Sequence, residues 1–161
     1  MRLAPFLLYG ALVWVAAIAA APALASSNSP AAVVVGLVIY RAASVVCHQI
    51  PERSFQLSAL PLAVCARCLG LYAGAGTASI VALSVGFRVQ HPGSRLGPLA
   101  LVPAAWTRLA LASIPTAATW VLERAGWWAS SNAVRFATAL PLGFAAAWIV
   151  LAALRAEEPI Q

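Results

Sequence analysis

The sequence predicts an all-α membrane protein, a single polytopic helical bundle of about five transmembrane helices that takes in residues 1–161. Of the 161 residues, 63% are hydrophobic and only 9% are charged, whereas a soluble domain carries about 25% charged residues. The apolar residues also fall into five runs, most of them about as long as an α-helix that crosses a bilayer. We therefore expect lipid to surround most of the chain.

The first apolar run covers residues 5–25 and follows the positive charge of Arg2. It ends in Ala23-Leu24-Ala25, which fits the small-residue pattern of a signal-peptidase site. However, the run is longer than the usual apolar core of a signal peptide. We expect a retained first transmembrane helix, with a cleaved signal peptide as the alternative.

The second run, 31–47, follows Pro30, a residue that suits the first turn of a helix. Its apolar part is a little short for a bilayer, so we expect the helix to continue towards Cys47. Arg41 would then lie at membrane depth. Its guanidinium either reaches up to the interface or acts as a counter-charge for the site described below.

Three further spans follow a polar loop, 47–68, and they cover residues 68–87, 98–122 and 133–154. Gly70 and Gly74 in the third span have the small-x-x-x-small spacing that allows two helices to approach closely. His91 lies in the polar turn after this span, far in sequence from any other metal ligand, and we interpret it as a loop residue.

The loop 47–68 concentrates the chemistry of the chain, because it holds all three cysteines and one of the two histidines. Cys47 and His48 open it, and the Cys-x-x-Cys pair Cys65 and Cys68 closes it. Three thiols and one imidazole make a complete tetrahedral set for zinc. Adjacent ligands require the backbone to leave the helix, which Pro51 allows. We therefore predict a zinc site formed by Cys47, His48, Cys65 and Cys68.

Other readings of these residues remain open. The same four ligands suit an iron–sulfur cluster, and cysteines without any cofactor can pack as small hydrophobic residues. The functional alternative is a membrane thiol oxidoreductase that uses Cys65 and Cys68 as a dithiol, with Cys47 as a resolving thiol. No βαβ pattern of the thioredoxin kind surrounds these residues, which argues against that alternative.

Two other chemistries are disfavoured. Attached haem requires a histidine directly after the Cys-x-x-Cys pair, where this chain has Leu69. A nucleophilic Cys47 activated by His48 is disfavoured because adjacent residues rarely align a thiol with the neighbouring imidazole. A zinc ion with four protein ligands has a closed shell, which indicates a structural role rather than hydrolysis.

Charged and aromatic residues near the four ligands are candidates for an outer layer around them. Glu52 and Arg53 form either a solvated pair or a layer that orients His48. Tyr72 lies one helical turn after Cys68 and is interpreted as an interfacial anchor. The residues that we expect around the ligands are Arg41, Glu52, Arg53, Arg67, Tyr72 and Arg135.

Several short motifs occur in order between Cys47 and Tyr72: Cys-His-Gln, Arg-Ser-Phe and Cys-Ala-Arg-Cys-x-Gly-x-Tyr. They resemble the family of small predicted bacterial membrane proteins catalogued as domain of unknown function 2085. The resemblance covers about residues 30 to 145. It implies a multi-spanning membrane protein and brings no known reaction with it.

The resemblance also predicts an ion pair. That family usually shows a proline followed four residues later by Asp-Gly, but here Pro115 is followed by Thr119 and Trp120. A second family run is matched by Ser131, Asn132, Arg135 and Thr138, with Ala139 at its glycine position. We predict that Glu123, one helical turn after Thr119, replaces the missing acid and pairs with Arg135. The alternative is a solvated Glu123.

The distribution of arginines gives a weak prediction of topology. With five spans and Arg2 inside, the positive charges slightly favour a cytoplasmic loop 47–68 in an inner (plasma) membrane, where thiols stay reduced. The turn 123–132 then lies at the same membrane face as the loop. The partners that we consider are the lipid bilayer, another membrane protein or a second copy of the chain. Single, scattered arginines argue against nucleic-acid binding.

Overall fold

The computed structural model describes residues 3–57, 59–84 and 101–156. Within them the chain forms five α-helices and one short hairpin. The helices are α1 (Leu3–Ala25), α2 (Pro30–Ser44), α3 (Ala66–Ser84), α4 (Leu101–Arg124) and α5 (Asn132–Ala156). The predicted all-α membrane bundle is therefore confirmed. His91 and the predicted end of the third span lie outside the described residues.

The helices pack in a linear order that differs from their order in the chain. The central pair is α3 and α5, which make the most extensive contact; α1 packs on α3, α2 packs on α1, and α4 packs on α5. The outer helices α2 and α4 expose large apolar side chains, among them Val34, Val38, Leu111 and Ile114. A hydrophobic exterior of this kind suits a protein surrounded by lipid.

Three of the described helices contain a stretch that is long and apolar enough to cross a membrane. These stretches are Leu8–Ala25, Ala66–Ser84 and Asn132–Leu154. Helix α2 is apolar but has only 15 residues. It ends at Ser44, before Cys47, because the next two amides, those of Val45 and Val46, bond to carbonyls three residues back instead of four.

Glycine allows the central helices α3 and α5 to approach closely. A Cβ atom added at Gly70 would collide with the backbone carbonyl of Phe136, and one added at Gly74 would collide with that of Leu140. The small-residue face of α3 is therefore in backbone contact with α5, as its spacing predicted. This contact fixes the start of α3, and with it Cys68, against the first turns of α5.

The connection between α2 and α3 is compact rather than extended. A 3₁₀ turn, Pro51–Arg53, leads into an antiparallel hairpin of strand β1 (Gln56–Leu57) and strand β2 (Leu60–Pro61). The hairpin brings the chain back towards the end of α2, and Cys65 follows four residues later. The two ends of the loop, at Cys47 and Cys65, therefore lie next to each other.

The turn between α4 and α5 is closed at both ends by capping interactions. The amides of Gly126 and Trp127 bond to the carbonyls of Glu123 and Leu122, and Gly126 has a φ of +73°. This is a Schellman motif, whose left-handed residue is usually glycine. At the other end, the Ser131 hydroxyl accepts a hydrogen bond of 3.3 Å from the Val134 amide.

Candidate metal centre

Four helix ends meet at one end of the bundle: the C-terminal ends of α2 and α4 and the N-terminal ends of α3 and α5. Side chains from all four regions contact the loop between α2 and α3 or each other. The loop and the α4–α5 turn were predicted to lie at one membrane face. The contacts between them place them together in the fold.

Three thiols come together at this end of the bundle. The Sγ atoms of Cys47, Cys65 and Cys68, here called the thiol cluster, all lie within 4.8 Å of one another. Cys47 is buried, with 5% of its surface exposed, and the other two are half-buried. All three are free cysteines. The structure thus brings together the three thiols of the predicted site.

The sulfur of Cys47 accepts hydrogen bonds from the backbone. The amide of Cys65 donates to it over 3.2 Å and the amide of Gln49 over 3.5 Å. The Cys65 amide belongs to the other end of the loop, so this contact also joins the end of α2 to the start of α3.

Cys65 and Cys68 lie at the start of α3, where backbone amides have no carbonyl partners within the helix. The hydrogen bond from the Cys68 thiol, helped by backbone amides, lowers the pKa of the Cys65 thiol to about 5, although its burial opposes the shift. The hydrogen bonds around Cys65 therefore favour its thiolate form. A thiolate is the form that binds a metal and the form that reacts as a nucleophile.

His48 is adjacent to the thiol cluster but is not part of it. Its side chain is exposed, and its nitrogen atoms are not among the ligand atoms that lie within 4.8 Å of one another. It does line the same cavity as the three thiols. Its role as the fourth ligand therefore remains a prediction.

The thiol cluster opens into a cavity of about 120 Å³, here called the thiol cavity. Besides the three cysteines and His48, its lining includes two apolar side chains and three arginines: Val46, Ile50, Arg53, Arg67 and Arg135. The charged residues expected around the ligands therefore divide into two groups. Arg53, Arg67 and Arg135 line the cavity, whereas Arg41 and Glu52 are exposed and do not line it.

Glu123 joins two of these arginines. Its Oε1 lies 2.9 Å from Nε of Arg135, and its Oε2 lies 3.0 Å from a terminal nitrogen of Arg67. Only 8% of the Glu123 side chain is exposed. The predicted pair between Glu123 and Arg135 is confirmed. The contact with Arg67 was not predicted, because the sequence does not reveal how far the end of α4 lies from the start of α3.

Tyr72 is not among the residues that line the thiol cavity. Its ring packs edge-to-face against Trp14 of α1, with ring centroids 6.2 Å apart. Both rings pack against the buried cluster that includes Cys47 and Val64. Tyr72 thus supports the α1–α3 contact beneath the thiols.

Sequence reasoning missed two residues that hold the loop. The Gln49 side-chain amide donates hydrogen bonds of 2.8 Å to the carbonyls of Tyr40 and Ala63, and the Tyr40 hydroxyl donates to the carbonyl of Pro61. These bonds join the end of α2 to the end of the hairpin. The only signal for Gln49 was its place in the Cys-His-Gln motif.

The Arg-Ser-Phe motif contacts α5. The Asn132 side chain donates a hydrogen bond of 3.0 Å to the carbonyl of Ser54 and accepts one of 2.9 Å from Arg135. Phe55 packs edge-to-face on Phe136, with ring centroids 6.0 Å apart. The two sequence regions that resemble the family therefore form one structural unit.

Comparison with known proteins finds a family model and two relatives that match the part of the chain holding this site. A family model described as "Predicted membrane protein (DUF2085)" matches residues 47–149, from the first cysteine of the thiol cluster into α5. An uncharacterised protein of Methanocaldococcus jannaschii is 31% identical over 117 residues, which is 73% of this chain and 69% of the relative. An uncharacterised protein of Methanothermobacter thermautotrophicus is 32% identical over 98 residues, 61% of this chain and 78% of the relative.

Both of these relatives are archaeal. No solved structure matches the chain. The family match covers well over half of the sequence, and it begins at the residue where the thiol cluster begins. The chain therefore belongs to the DUF2085 family of predicted membrane proteins.

Proposed function

We propose that this membrane protein binds one metal ion, zinc, through Cys47, Cys65 and Cys68 at one membrane face. The observation that carries the proposal is the mutual approach of the three Sγ atoms to within 4.8 Å. Sulfurs that share a tetrahedral zinc at about 2.3 Å lie about 3.8 Å apart, so small side-chain movements would complete the geometry. The backbone amides that donate to Cys47 Sγ suit a thiolate ligand.

His48 is the fourth ligand in this proposal. It follows Cys47 directly and lines the thiol cavity. A neutral imidazole would complete a Cys3His set with a net charge of −1 on the zinc centre. An iron–sulfur cluster would need the same thiols, and metal analysis distinguishes the two.

The ion would hold the loop between α2 and α3 in place. The thiol cluster draws one ligand from the end of α2 and two from the start of α3, and these helices do not otherwise make extensive contact. Because the unfolded chain has no preformed site, the free energy of metal binding would contribute to the stability of the fold. Cytoplasmic placement of the loop belongs to the same proposal, since thiols stay reduced there.

The test is the metal content of the protein purified in detergent. We expect about one equivalent of zinc per chain in the unmodified protein. Cys65→Ser and Cys68→Ser should each lower the zinc content and the unfolding temperature together. Unchanged zinc content in both variants would contradict the proposal.

The fourth ligand has its own matched pair of variants. His48→Asn should weaken zinc retention against a chelator, while His91→Asn, which changes the other histidine of the chain, should not. Equal retention in both variants would remove His48 from the ligand set and leave the thiol cluster in place.

A second candidate function is a membrane thiol oxidoreductase. It is favoured by the position of Cys65 and Cys68 at a helix start and by the lowered pKa of Cys65. In that case the purified protein would contain no metal and would show a disulfide that dithiothreitol reduces. One equivalent of zinc with three unreactive thiols would exclude this candidate.

A further inference from the structure

We propose that the arginine-lined side of the thiol cavity binds a small oxyanion, such as sulfate or a phosphate group, next to the metal centre. This inference rests on the proposed function, because it names the class of ligand that the site takes. The zinc ion would then be part of a ligand-binding site, in addition to stabilising the loop.

The first argument is the arrangement of donors. Arg53, Arg67 and Arg135 line the same cavity, and no acidic residue is among its described lining residues. The Glu123 carboxylate pairs with two of these arginines, Arg67 and Arg135. Arginine presents a planar fork of N–H groups that matches the oxygens of phosphate and carboxylate groups. Three such forks at one small cavity form a site for an oxyanion.

The second argument is an unsatisfied donor. Nε of Arg67 is buried and has no hydrogen-bond partner among the described residues. Only 17% of this side chain is exposed, so water has little access to it. A buried donor of a charged group without an acceptor is costly. An anion in the cavity would supply the missing acceptor.

The third argument is the balance of charge. Three guanidinium groups line the cavity. The Glu123 carboxylate offsets one of them, and a zinc ion with three thiolates offsets another. One positive charge is left in a site walled by Val46 and Ile50. A bound anion would compensate it.

The fourth argument is space. The thiol cavity measures about 120 Å³, whereas a single water needs only about 15 Å³ by the same measure. The cavity therefore has room for a polyatomic anion beside the metal. It does not have room for a large organic ligand, since such pockets measure at least about 300 Å³.

Arg53 provides the cleanest variant for a test. It is exposed at the edge of the cavity and makes no ion pair with any described residue, so its replacement should not disturb the fold. Arg124→Gln is the matched control. Arg124 is also exposed and lies at the same end of the bundle, but it does not line the cavity.

The experiment measures the unfolding temperature of the zinc-loaded protein in maltoside detergent as sulfate replaces chloride at constant ionic strength. Sulfate has the shape of phosphate and does not precipitate zinc. A ligand that binds only the folded protein stabilises it by RT ln(1 + [L]/Kd), so the unfolding temperature rises with the logarithm of the sulfate concentration above the dissociation constant, and the curve gives that constant. We expect Arg53→Gln to weaken sulfate binding about tenfold, as loss of a charge-assisted hydrogen bond would. Arg124→Gln should leave it unchanged.

Zinc content is measured on the same samples. If zinc is retained but the unfolding temperature does not follow this logarithmic dependence on sulfate, or if both variants lose binding equally, the oxyanion site is wrong and the metal site stands. If the protein contains no zinc, the proposed function fails, whatever sulfate does.

A lipid headgroup and a free anion would offer the same chemistry to this site. Repeating the titration in nanodiscs separates them. If phosphatidylglycerol discs abolish the sulfate response that neutral phosphatidylcholine discs preserve, the ligand is a headgroup phosphate. If the response persists in both, the ligand is a soluble oxyanion.

Discussion

Nε of Arg135 lies 2.9 Å from Oε1 of Glu123, and this ion pair joins the first turn of α5 to the last turn of α4. The other oxygen of the same carboxylate contacts Arg67 in the first turn of α3. One buried carboxylate thus holds three helix ends together beneath the thiol cavity. Neither arginine has another carboxylate partner among the described residues.

Glu123→Gln should be strongly destabilising, because it leaves two largely buried guanidinium groups without a counter-charge. Loss of one partner from a buried ion pair typically costs about 3 to 5 kcal/mol. The control is Glu52→Gln, which removes an exposed acid from the same end of the molecule and should cost under about 1 kcal/mol. Chemical denaturation in detergent measures both, and equal losses would contradict this role of Glu123.

A charge exchange tests the direct pair. Glu123→Arg and Arg135→Glu should each destabilise the protein, and the double variant should recover part of the loss. Recovery should be incomplete, since Arg67 would then face an arginine at position 123. If the two losses simply add, the side chains do not interact.

Gly70→Ala should destabilise the bundle. Within a helix, replacing glycine by alanine ordinarily stabilises by about 0.5 to 1 kcal/mol. At Gly70 the added Cβ would collide with the carbonyl of Phe136. Gly10→Ala is the matched control, because nothing lies within 4 Å of a Cβ at that position of α1. We expect opposite signs for the two changes in unfolding temperature.

Gln49→Ala should loosen the loop and lower metal retention together. The variant removes the donors that bind the carbonyls of Tyr40 and Ala63, and a typical hydrogen bond contributes about 0.5 to 1.5 kcal/mol to stability. Gln56→Ala, which alters an exposed glutamine of the same loop, should change neither property. Chelator-induced zinc release, followed over time, measures the difference.

The proposed cytoplasmic position of the loop predicts the reactivity of its cysteines. In intact cells the three thiols should resist a membrane-impermeant maleimide, and after lysis with a chelator they should react. A single-cysteine variant placed at Ser27, in the α1–α2 connection, should show the opposite pattern. Labelling of the loop in intact cells would invert the proposed topology.

The apolar runs were sufficient to predict the helices of the bundle, because membrane helices are marked by length and composition alone. The glycine spacing likewise predicted which face of α3 approaches its neighbour. The Glu123–Arg135 pair could be predicted because Arg135 matches a family position and Glu123 lies one helical turn after another, Thr119. The contribution of Arg67 could not, since it depends on the distance between two helices that are not adjacent in sequence.

The position of His48 shows a different limit. Spacing places its backbone beside Cys47 but does not determine the direction of its side chain, and the structure shows that side chain exposed. Gln49 was missed for a related reason. It adopts a left-handed conformation, with φ of +50°, and its role depends on carbonyls at both ends of the loop that the sequence does not bring together.

The ion pairs of Glu123 have a consequence for biogenesis. A ribosome releases all three cysteines before it has made Glu123 and Arg135, so a growing chain carries every thiol while Arg67 still lacks its carboxylate. The two cavity-lining arginines, Arg67 and Arg135, are joined through Glu123 only when α4 and α5 have been inserted beside α3. Binding of the proposed ion would therefore be a late step of maturation, and a ribosome-stalled chain that ends before α4 would carry the thiols without retaining the ion.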